Sequence, residues 1–298
     1  MARPAPGVSR TVAVLNFIAA HPEQAFTLTD IIRSLELNRA TCHSLLAALV
    51  SEGYLYRDNA KSYRLGPALA ALGEVAHRSF RPATLARDDM RRLADETGKT
   101  CIGAARVGSE MVILERAIAA SQPTGNVYPG LRVPLRPPAG VSFIAWAPES
   151  EVFEWLETCR PALSEGAHAG WRAAFERIRE QGFCFGVRSA YPAASTDDPP
   201  THGVCLQPDN DPSSPSKPPP PVAWDAPIQL NYVSAPVLNA AHEIIFSVAL
   251  NGFDGLTSQD EIRELGRQVK AVSDRVTKAI GGRLVAGFHP GAAALPIA

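Results

Sequence analysis

Apolar residues recur at steps of three and four through the first fifty positions, a spacing that predicts amphipathic helices. The first helix is expected over about 10–20, with Ser9 as its N-cap. Val12, Leu15 and Ile18 would then face the core.

A second apolar run is interrupted at 36–38, where the helical step breaks. Thr27 followed by Asp30 three positions later predicts a capping-box start, and Asn38 is a good cap for the next helix. Gly53 is expected to stop that helix after Glu52. The apolar positions of the pair are Ile31, Ile32, Leu35, Leu37, Cys42, Leu45, Leu46, Leu49 and Val50. Two short helices at a tight turn form a helix-turn-helix.

Two short strands are expected behind this helix pair, over 54–57 and 62–65, around the charged turn 58–61. A capped helix pair followed by a charged hairpin is typical of a winged-helix domain. The pattern therefore predicts DNA binding.

The start of the third helix, the one capped by Asn38, would enter the major groove, because its apolar positions face the core. The residues that project there are Arg39, Ala40, Thr41, His43 and Ser44. On the hairpin, Arg57, Lys61 and Arg64 are expected to contact phosphates or the minor groove. The alternative is that these residues form only a solvated surface.

The rest of the chain predicts a sheet with helices. Pro67 opens an Ala/Leu-rich helix, and Pro82 is taken as the joint between domains. Strands are expected at 100–106, 110–116, 133–135, 183–190, 228–235 and 243–250, and helices at 141–146, 149–159, 167–181 and 258–280. This order predicts an α+β module whose helices cover one side of the sheet.

Nine of the 23 residues between Pro199 and Pro221 are proline, within a segment, 192–227, that breaks the pattern. Proline cannot donate to a sheet ladder, so the segment is expected to be an exposed insertion. It is either inert or a polyproline II ligand for a partner.

The distribution of charge agrees with a division of the chain into a DNA-binding N-terminal part and a second domain. Residues 1–81 hold nine Lys and Arg against six Asp and Glu, whereas the remainder holds 20 against 24. The five cysteines are scattered without a C-x-x-C pair, which argues against a disulfide framework or a cysteine zinc site. No apolar stretch reaches membrane-spanning length, so a cytoplasmic protein without membrane contact is expected.

Fragments that begin like catalytic motifs are incomplete. Leu93 stands where a P-loop needs its first glycine, and Phe246 stands where an H-E-x-x-H motif needs its second histidine. The sequence thus predicts no catalytic site, metal or cofactor.

The N-terminal pattern resembles the winged-helix domain of IclR-type transcriptional regulators, on SRTVAVLNFIA, LTDIIRSLELNRATCHSLLAALVSEGYLYRD and KSYRLG. GLRVPLRPPAG at 130–140 is similar to the loop beside the family's ligand pocket, and IQLNYVSAPVLNAAHEIIFSVALNGF at 228–253 resembles its paired effector-domain strands. The resemblance implies a GAF-like small-molecule sensor and a homodimer or homotetramer.

Several positions depart from the family pattern. Ser44 stands where members often carry Arg, and Gly186 where members that bind small acids commonly carry Asp. A frequent Cys is Tyr232, and frequent serines are Ala249 and Asn251. Since donors for a carboxylate are missing, the resemblance implies an aromatic or apolar effector. The expected pocket residues are Val133, Leu135, Gly140, Phe143, Phe185, Tyr232, Ala249 and Asn251.

The sequence therefore predicts a winged helix-turn-helix domain over 1–66, a linker helix over 67–81 and an α+β effector-binding and oligomerisation domain over 82–298. Its expected partners are operator DNA and a small organic effector. Two alternatives remain open: a ligand-blind regulator whose pocket is packed shut, and an α+β enzyme with a fortuitous helix pair.

Overall fold

The computed structural model describes residues 5–120, 127–137, 139–159, 163, 165–187 and 227–284. The Pro-rich segment lies outside the described residues except for Pro227, as do Cys205 and the end of the strand expected over 183–190. The chain divides into two compact units, Met1–Phe80 and Arg81–Ala298.

The first unit combines four helices with a small antiparallel sheet of order β1-β3-β2. Its elements are α1 Pro6–Ala19, β1 Phe26–Thr27, α2 Leu28–Leu35, α3 Arg39–Ser51, β2 Leu55–Arg57, β3 Ser62–Leu65 and α4 Pro67–Ser79. The core lies between α1, α2, α3 and the sheet, on Val14, Ile18, Ile31, Cys42, Leu46, Leu49, Leu55 and Tyr63. The predicted helix-turn-helix and hairpin are confirmed.

The start predicted for α1 is wrong. The helix begins at Pro6, whose fixed φ suits a first helical position, so Ser9 lies inside the helix and is not its N-cap. The inward face is also rotated, because Val14 and Ile18 are buried whereas Val12 is 48% exposed.

The caps of α2 and α3 are confirmed. Thr27 Oγ1 accepts from the Asp30 amide at 3.3 Å, and the Thr27 amide donates to the Asp30 carboxylate at 2.9 Å. The Thr27 hydroxyl also donates to that carboxylate and lowers its pKa. Asn38 caps α3, and Glu36 takes the left-handed conformation that ends α2, with φ of 50°.

The second unit is built on a seven-stranded sheet of order β10-β8-β9-β4-β5-β6, with β7 also paired to β8. Its elements are α5 Arg81–Thr97, β4 Thr100–Val107, β5 Glu110–Ala117, β6 Arg132–Pro134, α6 Val141–Ile144, α7 Glu149–Leu156, α8 Glu165–Gln181, β7 Cys184–Val187, β8 Ile228–Leu238, β9 Ile244–Asn251, β10 Leu256–Thr257 and α9 Gln259–Ala279. The α+β class predicted from sequence is confirmed. The sequence analysis did not predict α5: Pro82, taken as a joint, lies in its first turn, where the missing amide proton costs nothing.

Helices cover both faces of this sheet, so the prediction of helices on one side is wrong. The helices α5 and α9 pack against β4, β5, β8 and β9. The apolar residues of α6, α7 and α8 form a separate core with Ile102, Ala104 and Ala249, which share the other face. The cavity described below lies on that second face.

Candidate functional site

The start of α3 presents a polar surface. Asn38 Oδ1 accepts from the amides of Ala40 and Thr41, at 2.8 and 3.4 Å, and fixes the first turn. Because Cys42 and Leu46 are buried, Arg39 and its neighbours are turned outward. Of the predicted DNA-contacting residues here, Arg39, Ala40, His43 and Ser44 are exposed and Thr41 is half-buried.

One of these residues is already engaged within the helix. The Ser44 hydroxyl donates to the Ala40 carbonyl at 3.0 Å, so its proton is committed to the helix backbone. Ser44 can therefore offer an incoming group only its oxygen lone pair, whereas Arg39 presents a full set of donors.

The hairpin of β2 and β3 presents its cations around a pinned turn. The Asp58 carboxylate accepts from the Ser62 amide at 2.8 Å, and the backbone of the two residues is paired at 2.9 Å. Arg57, Lys61 and Arg64 are all exposed, with the Arg57 guanidinium 5.5 Å from the centre of the Tyr63 ring. The hairpin thus carries three exposed cationic side chains, one in its turn and one on each strand.

The second unit contains a cavity of about 70 Å³ above the face of the sheet that packs against α6. Its walls come from β4, β5, β8, β9, the start of α6 and the segment that leads into it. The lining residues are Ile102, Ala104, Met111, Ala139, Gly140, Val141, Ser142, Asn231, Tyr232, Ser234, Ser247, Ala249 and Asn251.

Half of the predicted pocket residues line this cavity. Gly140, Tyr232, Ala249 and Asn251 do so. Tyr232 lies opposite Asn251, and Ala249 opposite Ser234, in the pairing of β8 with β9. Since side chains alternate along a strand, these four strand residues share one face of the sheet.

The other four predicted residues do not line the cavity. Phe185 pairs with Val233, which is adjacent to Tyr232 on β8 and therefore points to the opposite face of the sheet. The side chain of Phe185 thus faces away from the cavity. Phe143 follows Ser142 in α6 and, like Val133, is buried in the apolar core. Leu135 is also in that core, where its Cδ2 lies 2.2 Å from the place a Cβ on Gly140 would occupy.

Two lining residues outside the predicted pocket set follow from period two. Ser247 lies two positions before Ala249, and Ser234 two after Tyr232. Asn231 does not, because it is the extra residue of a β-bulge: Gly186 pairs with Tyr232, but Val187 pairs with Leu230. A bulge can redirect a side chain against the strand's alternation.

Three serine hydroxyls form a hydrogen-bonded row in the wall of the cavity. Ser142 Oγ lies 3.1 Å from Ser247 Oγ, which lies 2.8 Å from Ser234 Oγ. Ser234 Oγ donates to the Val248 carbonyl at 3.1 Å. We call Ser142, Ser247 and Ser234 the serine row; all three are buried.

The described lining carries no formal charge. Burial, and then the neighbouring Cys184, raise the pKa of the Tyr232 phenol well above its ordinary value. Burial likewise raises the pKa of Cys184 to about 12. Both groups are therefore neutral near pH 7. The Asn251 Nδ2 group is buried and has no hydrogen-bond partner among the described residues.

Gly186 makes room for the ring of Tyr232. A Cβ on Gly186 would lie 2.3 Å from Tyr232 Cε1 and 2.9 Å from Cζ. The ring therefore covers the backbone of β7 and takes the space of a side chain at position 186. These two departures from the family pattern form one packing unit.

Gly186→Ala is expected to lower the free energy of unfolding by about 1–3 kcal/mol, because the Tyr232 ring must move. Denaturant unfolding would measure the loss. In a Tyr232→Ala background the same change should cost under about 0.5 kcal/mol, since the clash has gone. Equal costs in both backgrounds would contradict this packing argument.

The family model described as the IclR helix-turn-helix domain matches residues 7–59. The HTH-type transcriptional regulator XynR of Escherichia coli K12 is 30% identical over 188 residues, which cover 60% of this chain and 74% of XynR. The chain belongs to the IclR family of transcriptional regulators. As in the other IclR proteins, its helix-turn-helix is a DNA-binding domain.

Solved structures of IclR regulators share the fold. One from Alicyclobacillus acidocaldarius has a TM-score of 0.71 at 19% identity, covering 94% of this chain and all of that one. One from Brucella abortus has a TM-score of 0.65 at 18% identity, covering 93% and 92%.

Two further observations concern the described part of this IclR chain. None of its helices combines the length and apolarity that a membrane crossing needs. It also contains no cluster of three His, Cys, Asp or Glu residues arranged to hold a metal ion.

Proposed function

We propose that this protein is a cytoplasmic, homodimeric or homotetrameric regulator whose affinity for operator DNA is controlled by a small organic molecule in the cavity. The observation that carries this proposal is a cavity whose described lining is uncharged and whose Asn251 Nδ2 group has no partner among the described residues, in the same chain as an IclR helix-turn-helix. An effector changes DNA binding only if it binds the DNA-competent and incompetent states unequally.

On the DNA side, α3 would enter the major groove by its N-terminal turn. Arg39 and His43 can donate to guanine acceptors, and Thr41 can meet a phosphate or a thymine methyl group. The cations of the hairpin would contact phosphates and add affinity without sequence choice. In a dimer, two copies of α3 would lie in successive major grooves of an inverted repeat, about 34 Å apart.

The helix α4 supports self-association. None of its residues is buried, and Leu72 and Val75 are 51% and 65% exposed. Burying such apolar side chains against a second copy would stabilise a dimer.

The size of the cavity restricts the effector. At about 70 Å³ it is smaller than the roughly 150 Å³ cavity that admits benzene in an engineered protein core. An aromatic effector, as expected from sequence, would therefore need the walls to move. A smaller uncharged molecule fits the cavity as it stands.

The proposal is tested by fluorescence anisotropy with the promoter DNA upstream of the protein's own coding region. We expect salt-dependent, sequence-selective binding that changes when a small neutral compound is added. Selective binding that no compound in a broad panel alters would favour the ligand-blind alternative, and loss of all selectivity would contradict the proposal altogether.

Arg39→Ala is expected to weaken operator binding by about 1–3 kcal/mol and to relax discrimination at one base pair. The reason is its exposed place at the start of α3. Anisotropy on the operator and on single-base variants would measure both effects. An equal loss on operator and random DNA would show that Arg39 contacts only phosphate; Arg33→Ala, on α2, is the matched control.

A further inference from the structure

We infer that the cavity selects a small neutral molecule carrying both a hydrogen-bond donor and an acceptor, such as a primary amide, and rejects the isosteric carboxylate. This inference rests on the proposed function, because it names the class of effector for the same cavity. The inference follows from which serine of the row is the donor in each of its hydrogen bonds.

Each serine hydroxyl has one proton to donate. Ser234 uses its proton on the Val248 carbonyl, which can only accept. In the 2.8 Å contact between Ser234 and Ser247, the donor must therefore be Ser247. Its proton is then spent, so Ser142 must donate in the 3.1 Å contact with Ser247. Only this order satisfies all three hydrogen bonds at once.

The row therefore consumes all its protons internally and shows the cavity only oxygen lone pairs. Ser142, at the open end, donates within the row and accepts nothing from it. A ligand that meets the row must bring its own donor. A ligand with only acceptors would have to break a hydrogen bond of the row to gain one.

Asn251 supplies the opposite function. Its Nδ2 group is a buried donor without a partner among the described residues, so it favours a ligand acceptor such as a carbonyl oxygen. Burying an unsatisfied donor is costly, and a ligand carbonyl would remove that cost. A primary amide can meet both requirements with its NH₂ and C=O groups.

A carboxylate fails on two counts. It has no donor for the serine row, and the described lining offers no cation to compensate its charge. Transferring an unpaired charge into such an environment is far more costly than transferring a neutral polar group. Besides Asn251, the described lining offers only neutral donors, the Tyr232 phenol and the Asn231 amide, and neither compensates a charge.

The volume sets the size of the ligand. One water-sized probe occupies about 10–15 Å³, so a cavity of about 70 Å³ holds about five such probes. Because the cavity is also partly open to solvent, a ligand of about five non-hydrogen atoms can enter it with one end at the mouth. Propionamide, butanone and propionate each have that number and nearly the same shape. They differ in having a donor with an acceptor, an acceptor alone, and an acceptor with a charge.

Titration of the full-length protein without DNA, followed by ligand-observed NMR, would rank the three probes. We expect propionamide to bind about tenfold more tightly than butanone, since butanone leaves the serine row without a donor. Propionate should bind at least about a hundredfold more weakly than propionamide. Tighter binding of propionate, equal binding of all three, or binding of none would overturn the inference.

Ser247→Ala tests the proton order directly. The substitution frees the Ser142 proton for a ligand acceptor. Propionamide and butanone should therefore bind this variant with about the same affinity. Ser273→Ala is the matched control, because Ser273 is equally buried but donates to the Ala235 carbonyl and does not line the cavity. The Ser273→Ala variant should prefer propionamide over butanone as strongly as the unchanged protein does. If Ser247→Ala keeps that preference, the proton order is contradicted.

The inference and the proposed function fail differently. If propionamide binds with the expected preference but leaves promoter binding unchanged, effector control is wrong and the ligand class stands. If a carboxylate changes promoter binding and propionamide does not bind, effector control stands and the ligand class is wrong.

Discussion

Leu46→Ala is expected to weaken operator binding strongly while the second unit keeps its own melting transition. Leu46 is fully buried on α3, in the core that holds this helix against α1 and α2. Removing such a side chain leaves a cavity and costs about 2–5 kcal/mol. A unit of about 80 residues has roughly 4–12 kcal/mol of stability, so this loss takes a large part of it and lowers the melting temperature of the first unit.

Calorimetry would measure the two transitions, and anisotropy would measure operator binding. Leu46→Met is the control, because a swap that conserves volume costs under about 1.5 kcal/mol and should retain DNA binding. Full operator affinity in a correctly folded Leu46→Ala protein would show that α3 is held by something other than this core.

Local signals explain what the sequence could predict. The caps at Thr27 and Asn38 depend only on a side chain and the amides two or three residues on, so a few letters suffice to locate them. The turn between β4 and β5 is local in the same way, because Gly108 takes a positive φ of 63° that suits glycine. The misplaced start of α1 at Pro6 and the missed helix α5 at Pro82 share one cause: each proline opens a helix, a role that a proline can fill as readily as it breaks one.

The cavity depends on relations that a single sequence does not display. Period two groups Tyr232 with Ser234 and Ala249 with Asn251, because alternation is local. Which of two adjacent aromatic or apolar side chains faces inward depends on strand register, and this is why Phe185 was misplaced. The bulge at Asn231 and the entry of Ser142 from a different element are set by tertiary packing alone.

For Gly186 and Tyr232, the sequence analysis identified the two unusual positions but not the reason why they occur together. Their departure from the family pattern suggested an apolar pocket. The structure explains the pair sterically, since the ring occupies the space above Gly186. The polar character of the wall comes instead from Ser142, Ser234 and Ser247, which no comparison with the family pattern had marked.

Ala249→Phe is expected to abolish the response to the effector and to spare operator binding. Ala249 lies on β9 between Ser234 of β8 and Ile102 of β4, with its side chain in the wall of the cavity. A phenyl ring needs a space like the roughly 150 Å³ cavity that holds benzene, which exceeds the 70 Å³ present. The ring would therefore fill the cavity and cost about 1–3 kcal/mol through overpacking.

Anisotropy with promoter DNA, with and without the effector, would measure the result, and intact operator binding would show that the first unit is folded. Ala249→Val is the milder companion: it keeps the sheet and removes only part of the space, so it should weaken the response without abolishing it. Thermal unfolding of both variants would separate a filled cavity from a disrupted sheet. A normal response in a folded Ala249→Phe protein would place the effector outside this cavity, because no ligand of five non-hydrogen atoms can share it with a phenyl ring.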